Sequence, residues 1–231
     1  MARQIDSEIT GTIDDIIFYE RNGKFLMRSV QVQTAATRKA AKDYGRASNK
    51  AKILRQLLQP LLPNPKDRNM QNRLTPAMRE FLALLPAKTA FPPTENPLVG
   101  FRFVVSSDLK DCLRFPLGYS QQPDGNILIE LPAINPPQSI AAPTGTSRVQ
   151  LKLMAVGFNL NDEQTFSSNM ELISIPYVNE MQEAVNQLLE VDVQTTNLVV
   201  VAAALSYWNH DKQISQVGFM PVEIVSVFKR S

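Results

Sequence analysis

The chain has 231 residues, of which 44% are hydrophobic, 20% charged and 7% aromatic, so its composition is that of a globular protein with a buried core. Its single cysteine and single histidine exclude an intramolecular disulfide and the Cys- and His-rich motifs that bind metals. The net charge of +2 is unevenly divided: residues 1–90 carry 16 Lys and Arg against 8 Asp and Glu, and residues 91–231 carry 8 against 14.

This division of charge has three interpretations. A basic first part favours an anionic partner such as nucleic acid, whereas a basic and an acidic part together favour head-to-tail association of copies. Solvated surfaces that merely differ in sign would give the same counts. Charge alone therefore leaves all three open.

The sequence has no run of 18 apolar residues, the length that a membrane-spanning helix needs. The first ten residues include Arg3, Asp6 and Glu8 and lack the apolar core of a secretion signal. We therefore expect no membrane insertion and a cytoplasmic chain at synthesis, with its final location open.

The first predicted element is a β-hairpin. Residues 9–19 are rich in Ile, Phe and Tyr, and Asn22-Gly23 separates them from a second β-rich run, residues 25–32. Asn-Gly between two such runs is a strong hairpin signal, because both residues tolerate a positive φ.

The second predicted element is a long basic helix that ends where Pro60 and Pro63 make further helix unfavourable. Its apolar stripe follows helical spacing: Ala40, Tyr44, Ala47, Ala51, Leu54, Leu58 and Leu61. Thr34 or Thr37 is the candidate N-cap. Its basic surface comprises Arg38, Lys42, Arg46, Lys50 and Arg55, together with Lys39 and Lys52.

A second helix is predicted to begin with Thr75 as N-cap and Pro76 as the first helical residue. Its apolar side comprises Met78, Phe81, Leu82 and Leu85, and Pro86 ends it. The two helices are expected to pack as a helical hairpin.

A domain boundary is predicted in the proline-rich segment, residues 91–97, and the chain beyond it is mostly β. The candidate strands are residues 98–105, 113–117, 126–131, 148–158, 169–177, 198–208 and 216–229. Residues 178–189 are compatible with a short helix or a strand. The prediction is an α+β, predominantly β protein: a β-hairpin plus helical hairpin in residues 1–89 and an antiparallel Ig-like β-sandwich in residues 90–231.

Few residues are candidates for chemistry. His210 lies in a polar group typical of a turn, and Cys112 is best explained as a small buried residue at a strand start. Asp14-Asp15 and Asp162-Glu163 are adjacent carboxylates of the kind found in solvated turns. There is no phosphate-binding glycine motif. We expect no catalytic, cofactor or metal site, and no small-molecule substrate is evident.

The N-terminal part of the sequence resembles a known family. The motifs that carry it are Gly11-Thr12-Ile13, Ile17-Phe18-Tyr19, Asn22-Gly23-Lys24, Arg28, Tyr44-Gly45-Arg46-Ala47-Ser48, Leu54-Arg55 and residues 57–62. With them, roughly the first 80 residues resemble a family of uncharacterised bacterial proteins that begin with a short Gly-Thr-Ile hairpin and continue into a basic helix. The resemblance implies a two-part layout and a shared role for the N-terminal part, with no activity or catalytic residue to transfer.

The sequence favours a non-enzymatic structural subunit that self-associates or docks into a larger protein assembly. A two-stranded hairpin is marginal alone, and the helix stripe needs a partner surface. The expected assembly interface comprises Ile13, Ile17, Phe18, Phe25, Tyr44, Leu54 and Leu58. Two alternatives remain: the arm folds back onto the chain's own sandwich, or the basic helix binds nucleic acid through its cations.

Overall fold

The computed structural model describes residues 3–5, 8–30, 34–63, 67, 69–85, 95–160, 166–192 and 196–229. Strand makes up 41% and helix 26%, and the named strands of the described residues pair antiparallel. The predicted α+β, predominantly β class is therefore confirmed.

Contacts divide the chain into two compact units, Met1–Asp43 and Tyr44–Ser231. The predicted boundary between residues 89 and 90 lies outside the described residues. Residues on both sides of it, from Ala47 to Ile224, share one hydrophobic core. The second unit therefore begins earlier in the chain than the predicted β domain.

The first unit contains a four-stranded sheet whose strands follow chain order. They are β1 (Arg3–Ile5), β2 (Glu8–Ile13), β3 (Ile16–Arg21) and β4 (Lys24–Ser29). Two-residue turns join the last three strands, Asp14-Asp15 and Asn22-Gly23. Asn22 and Gly23 have φ of 55° and 70°, the left-handed conformation that a tight hairpin turn of this twist requires.

Helix α1 (Ala35–Leu57) starts in the first unit and continues into the second. Thr34 caps it, because the Thr37 N–H donates to Thr34 Oγ1 over 3.1 Å. Residues 34–46 are exposed, whereas Ala47, Ala51 and Leu54 are fully buried. A turn of 3-10 helix, Gln59–Leu61, follows α1. The predicted apolar stripe is thus covered only in its second half.

Helix α2 (Met70–Leu84) begins earlier than predicted. Pro76 lies inside the helix and Thr75 is a buried interior residue, so the predicted start at Thr75 is wrong. The first turns are held by burial of Met70 and Leu74 and by Arg73, whose guanidinium binds Asp67 at 2.7 Å and the Arg102 carbonyl at 2.7 Å. These contacts outweigh the backbone hydrogen bond that proline cannot donate.

The remaining elements all lie in the second unit. The short helices are α3 (Leu109–Cys112) and α4 (Pro136–Ser139), and the strands are β5 (Gly118–Gln121), β6 (Ile127–Leu131), β7 (Arg148–Phe158), β8 (Phe166–Pro176), β9 (Val185–Leu189), β10 (Leu198–Asn209), β11 (Lys212–Ile214) and β12 (Val222–Lys229). Strands β5, β6 and β9 form a three-stranded sheet, and the other five form a second sheet with β10 and β7 at its centre.

Several predicted strands need correction. Residues 98–105 form turns with an isolated bridge at Arg102, and residues 113–117 contain only an isolated bridge at Leu113, so neither is a strand. Proline removes a ladder donor from 113–117, and a left-handed Gly100 reverses the chain in 98–105. The last strand starts at residue 222, not 216, and the ambiguous 178–189 segment contains strand β9.

The five-stranded sheet is a middle layer with a core on each face. Met154, Val156 and Ala202 pack with the buried residues of α1 and α2. Leu151 and Val201 pack on the opposite side, together with the inward residues of the three-stranded sheet. Because both faces are covered, β10 reads as a continuous apolar run and not as an alternating one.

One irregularity lies in the middle layer, where β12 pairs with β10. Val201 pairs with Ser226 and the next residue, Ala202, pairs with Ile224, so Val225 is an extra residue in β12. This is a β-bulge, which shifts the phase of alternation along the strand.

We expect Leu54→Ala to lower the free energy of unfolding by about 2–5 kcal/mol, because it opens a cavity in the fully buried helix layer. Urea denaturation followed by circular dichroism measures this. Tyr44→Ala is the control, since Tyr44 lies on the same helix but is 53% exposed, and it should change stability by no more than about 0.5 kcal/mol. Equal losses in both variants would contradict the placement of the stripe.

Candidate functional site

The residues predicted as an assembly interface lie in different surroundings. Ile13, Ile17, Phe18 and Phe25 belong to the sheet of the first unit. Strand register assigns their faces, because paired residues of neighbouring strands project to the same side. Ile13 pairs with Ile16, Phe18 with Met27 and Phe25 with Glu20.

One face of this sheet is therefore almost entirely apolar. It carries the side chains of Ile13, Ile16, Phe18, Phe25 and Met27, which we call the apolar face. Their exposed fractions are 44% for Ile13, 40% for Ile16, 41% for Phe25 and 71% for Met27, and Phe18 is half-buried. Glu20 is the charged residue paired into this face.

The opposite face is mixed. It carries Ile17, Tyr19 and Leu26 together with Arg28 and Lys24. The Arg28 guanidinium lies 5.7 Å from the centre of the Tyr19 ring, a cation–π contact that covers part of the aromatic surface. The predicted interface residue Ile17 thus lies on the other side of the sheet from Ile13, Phe18 and Phe25.

None of the residues whose burial is described in Met1–Asp43 is buried. Both core clusters of the protein consist of residues from Ala47 onward. A four-stranded sheet normally gains its stability by covering one apolar face. The sheet of the first unit has that face and leaves it exposed.

Two predicted interface residues are placed in the interior. Leu54 and Leu58 are fully buried in the core formed by α1, α2 and the five-stranded sheet. They are unavailable to a partner in this structure, because the chain's own sheet covers them. Tyr44 is 53% exposed and remains accessible.

The predicted basic surface is also divided. Arg38, Lys42 and Arg46 are exposed, and Arg55 is half-buried. Lys50 is only 2% exposed, and its ammonium donates to the Asn159 carbonyl over 3.1 Å. Assigning Lys50 to the basic surface is therefore wrong, because the helix turns it into the core side where a carbonyl binds it.

The candidate chemical residues that the structure describes lie in separate elements. Cys112 is 2% exposed, and burial raises the pKa of its thiol, which keeps it neutral and weakly nucleophilic. His210 has φ 49° in the exposed turn between β10 and β11. Asp14-Asp15 is a hairpin turn, and Asp162-Glu163 lies outside the described residues. In the described part of the chain, no three His, Cys, Asp or Glu residues are grouped to hold a metal ion.

Of the helices that the structure describes, none has both the length and the apolar character needed to cross a membrane.

Sequence reasoning missed a cavity of about 460 Å³ in the second unit. It lies between β12, helix α3 with the segment after it, and strand β5. Its walls are formed by Asn96, Val99, Gly100, Leu109, Lys110, Leu113, Phe115, Pro116, Leu117, Tyr119, Glu223 and Val225. Most of these are apolar, and a few polar groups converge among them, which is the usual make-up of a ligand site.

Two wall residues carry buried polar atoms without a partner. Glu223 is 7% exposed and Asn96 is 4% exposed. Glu223 Oε2 and Asn96 Nδ2 have no hydrogen-bond partner. The other side of each group is fixed: the Leu98 N–H donates to Asn96 Oδ1 over 3.0 Å, and the Leu109 N–H binds the Glu223 carboxyl. Such unpaired buried atoms are rare and costly, so they require an explanation.

The electrostatics follow from burial. Burial raises the pKa of Glu223, and the Asp108 carboxylate adds to the rise. The Leu109 N–H, Lys110 and Arg102 oppose it. Burial also raises the pKa of the Tyr119 hydroxyl, with a smaller contribution from Glu223.

The sequence gives a weak signal for Glu223. It lies between Val222 and Ile224, so an alternating strand with one solvated face would place it in water. It pairs with Ala203, whose side chain faces the three-stranded sheet, so Glu223 is turned into the layer between the sheets. A carboxylate in a strand that is covered on both faces indicates a functional residue. The covering of the strand is known only once the order of the strands in the sheet is known.

Comparison of the chain with protein-family models, with curated proteins and with solved structures finds no match in any of the three.

We expect Glu223→Gln to raise the melting temperature at about pH 7.5 and to leave it nearly unchanged at about pH 4. The folded chain has the higher pKa, so the unfolded chain loses this proton first. The contribution of Glu223 to stability is therefore greatest below the pKa that this carboxyl has in the unfolded chain. It is lost as the pH rises through the pKa that the carboxyl has in the folded chain. The glutamine variant does not titrate. Thermal scans across pH test this, with the exposed Glu180→Gln as control; parallel profiles for Glu223→Gln and the unsubstituted chain would contradict it.

Proposed function

We propose that this protein is a non-enzymatic assembly subunit that pairs with a second copy of itself through the N-terminal sheet. The observation that carries the proposal is the apolar face, which is exposed in a unit without a buried residue among those described. Large exposed apolar patches on soluble domains mark interaction surfaces.

A second copy fits this face because the face is self-complementary. Two-fold association brings the same patch of each copy together, so any charge on it meets its own like. The apolar face has one charged residue, Glu20, whereas the opposite face has Lys24 and Arg28. Like-charge repulsion is therefore small on the apolar face and large on the other one.

Two such sheets stack like the layers of a sandwich, about 10 Å apart. A six-residue strand is about 20 Å long and four strands span about 19 Å, so each copy contributes a flat area of about 400 Å². The two copies together would cover about 800 Å², which is below the roughly 1,200 Å² of stable specific interfaces and typical of weak, transient ones. The dimer should therefore be in a measurable equilibrium with the monomer.

The non-enzymatic part of the proposal rests on the chemical candidates. The single cysteine of the sequence is buried with a raised pKa, and the single histidine lies in an exposed turn. These positions do not join a nucleophile to a base.

We expect Met27→Glu to shift the protein from dimer to monomer, because two copies would bury four carboxylates, from Glu20 and residue 27, in one apolar interface. Sedimentation velocity over a concentration series measures the shift. Leu26→Glu is the matched control, since it makes the same change one residue away on the opposite face of β4.

The control should still dimerise, and circular dichroism should show both variants folded. A chain that is monomeric at every concentration, or an equal loss of association in both variants, would contradict self-association through the apolar face.

Nucleic-acid binding is the second candidate. Arg38, Lys42 and Arg46 are exposed and spaced by four residues, which places them within about 80° of one another around α1. Such a row of cations can follow a phosphate backbone. Lys50 does not extend the row, because it is buried.

If these three cations bind phosphates, the affinity for duplex DNA or RNA should fall with salt at a log-log slope of about −2.7, which is about −0.9 for each contact. Replacing all three by Gln should remove the slope, whereas Arg79→Gln, an exposed cation of α2, should leave it unchanged. Fluorescence anisotropy measures both. No binding at about 50 mM salt would remove this candidate.

The Ig-like sandwich predicted for residues 90–231 also stays a proposal. The support for it is the core enclosed between the five-stranded and the three-stranded antiparallel sheets.

A further inference from the structure

The cavity beside Glu223 is independent of the assembly surface, since it lies entirely within the second unit. We propose that it binds a small apolar amine that also carries a hydroxyl or carbonyl oxygen. The proposal rests on two residues of a largely apolar cavity wall, Glu223 and Asn96, each of which carries a buried, unpaired polar atom, the two atoms being of opposite hydrogen-bonding character. Each of the three parts of the ligand is complementary to one part of the cavity wall.

The amine answers Glu223. An ionised carboxylate only accepts hydrogen bonds, and Glu223 Oε2 accepts none. Arg102 is engaged elsewhere, with Nη1 3.3 Å from Asp108 Oδ2. Lys110 lines the cavity and attracts Glu223, yet Oε2 remains without a hydrogen bond. An ammonium group supplies both the donor and the counter-charge, and such charge-assisted bonds are about twice as strong as neutral ones.

The hydroxyl or carbonyl oxygen answers Asn96. The Leu98 N–H holds Asn96 Oδ1, and this bond fixes the amide so that Nδ2 is the free end. Nδ2 carries two N–H donors and no acceptor, so its complement is an oxygen with a lone pair. A ligand with only the amine would leave this second group unpaired.

The apolar body of the ligand answers the rest of the wall. Leu113, Phe115, Leu117 and Val225 line the same cavity as Glu223 and Asn96. The volume of about 460 Å³ lies in the usual range for small-molecule sites. A phenyl ring on a two-carbon chain combines an aromatic body with a polar group at the end of a short chain.

A purely structural role does not account for this arrangement. A carboxylate that is buried with one oxygen unpaired lowers stability, and packing alone would be served better by an apolar side chain of the same size. Sites that keep such a cost are often functional, because the ligand provides the missing partner.

Isothermal titration calorimetry on the full chain tests the proposal with three probes of matched shape: phenethylamine, phenethyl alcohol and phenylalaninol. We expect the amine to bind at least about tenfold more tightly than the alcohol, since a hydrogen bond to a charged group is stronger than one between neutral groups. Phenylalaninol, which has both groups, should bind most tightly.

Two variants separate the contacts. Glu223→Gln should abolish the preference for amine over alcohol, whereas Glu180→Gln, an exposed carboxyl, should preserve it. Asn96→Asp keeps the oxygen that caps Leu98 and removes the donor. It should therefore bring the affinities of phenylalaninol and phenethylamine together, whatever its effect on both.

The pH dependence gives a further readout. While the amine stays protonated, its affinity should rise with pH as Glu223 ionises, and it should be flat in Glu223→Gln. The charged or titratable groups around Glu223 are Asp108, Lys110, Arg102 and Tyr119. Asp108 and Arg102 pair with each other, with Arg102 Nη1 3.3 Å from Asp108 Oδ2.

No binding by any probe, or equal affinities for phenethylamine and phenethyl alcohol, would overturn the proposal. A Glu223→Gln variant that retains the amine preference would overturn it as well. The titrations are repeated on Met27→Glu, whose substitution lies in the first unit. Unchanged ligand affinity in that variant separates this result from the outcome for self-association.

Discussion

Two neighbouring strands that are covered on both faces constrain the whole second unit. β7 and β10 pair without interruption from Arg148 opposite Trp208 to Phe158 opposite Leu198. Antiparallel strands commonly leave one face in water, but most residues of this pair are buried whichever way they point. Each face therefore needs a cover. The second half of α1 and helix α2 supply one, and the sheet of β5, β6 and β9 supplies the other.

The same constraint explains why a carboxylate came to lie inside. β12 belongs to the same sheet, which is covered on both faces, so neither set of alternate residues in this strand faces solvent freely. Glu223 consequently faces the layer between the sheets, where its pKa rises and one oxygen lacks a partner. The sheet of the first unit is the opposite case. It has an apolar face and, among the described residues, no core beneath it.

Local patterns predicted the elements whose own residues determine them. Alternation in β7 and the Asn-Gly turn are set by neighbours along the chain, and both strand and turn are found where the sequence places them. The start of α2 was missed because it depends on Arg73 reaching the Arg102 carbonyl, a contact between residues 29 positions apart. The burial of Lys50 and Glu223 was missed for the same reason. The burial of each residue depends on which sheet packs over it, and the periodicity of a single sequence does not predict which sheet that is.

The bulge at Val225 has a consequence for the length of the chain. Side chains before it, such as Ile224, and after it, such as Val227, reach the helix-side core although three positions separate them. Deleting Val225 would restore regular alternation and leave every other residue of β12 on its present face. Deleting Ser226 would have the same effect, because Val225 and Ser226 together lie opposite Val201, whereas a deletion at Val227 would turn the rest of the strand over. Deletions in this strand are thus tolerated only at the bulge, which lies beside the cavity, so that a change of length there also changes the cavity wall.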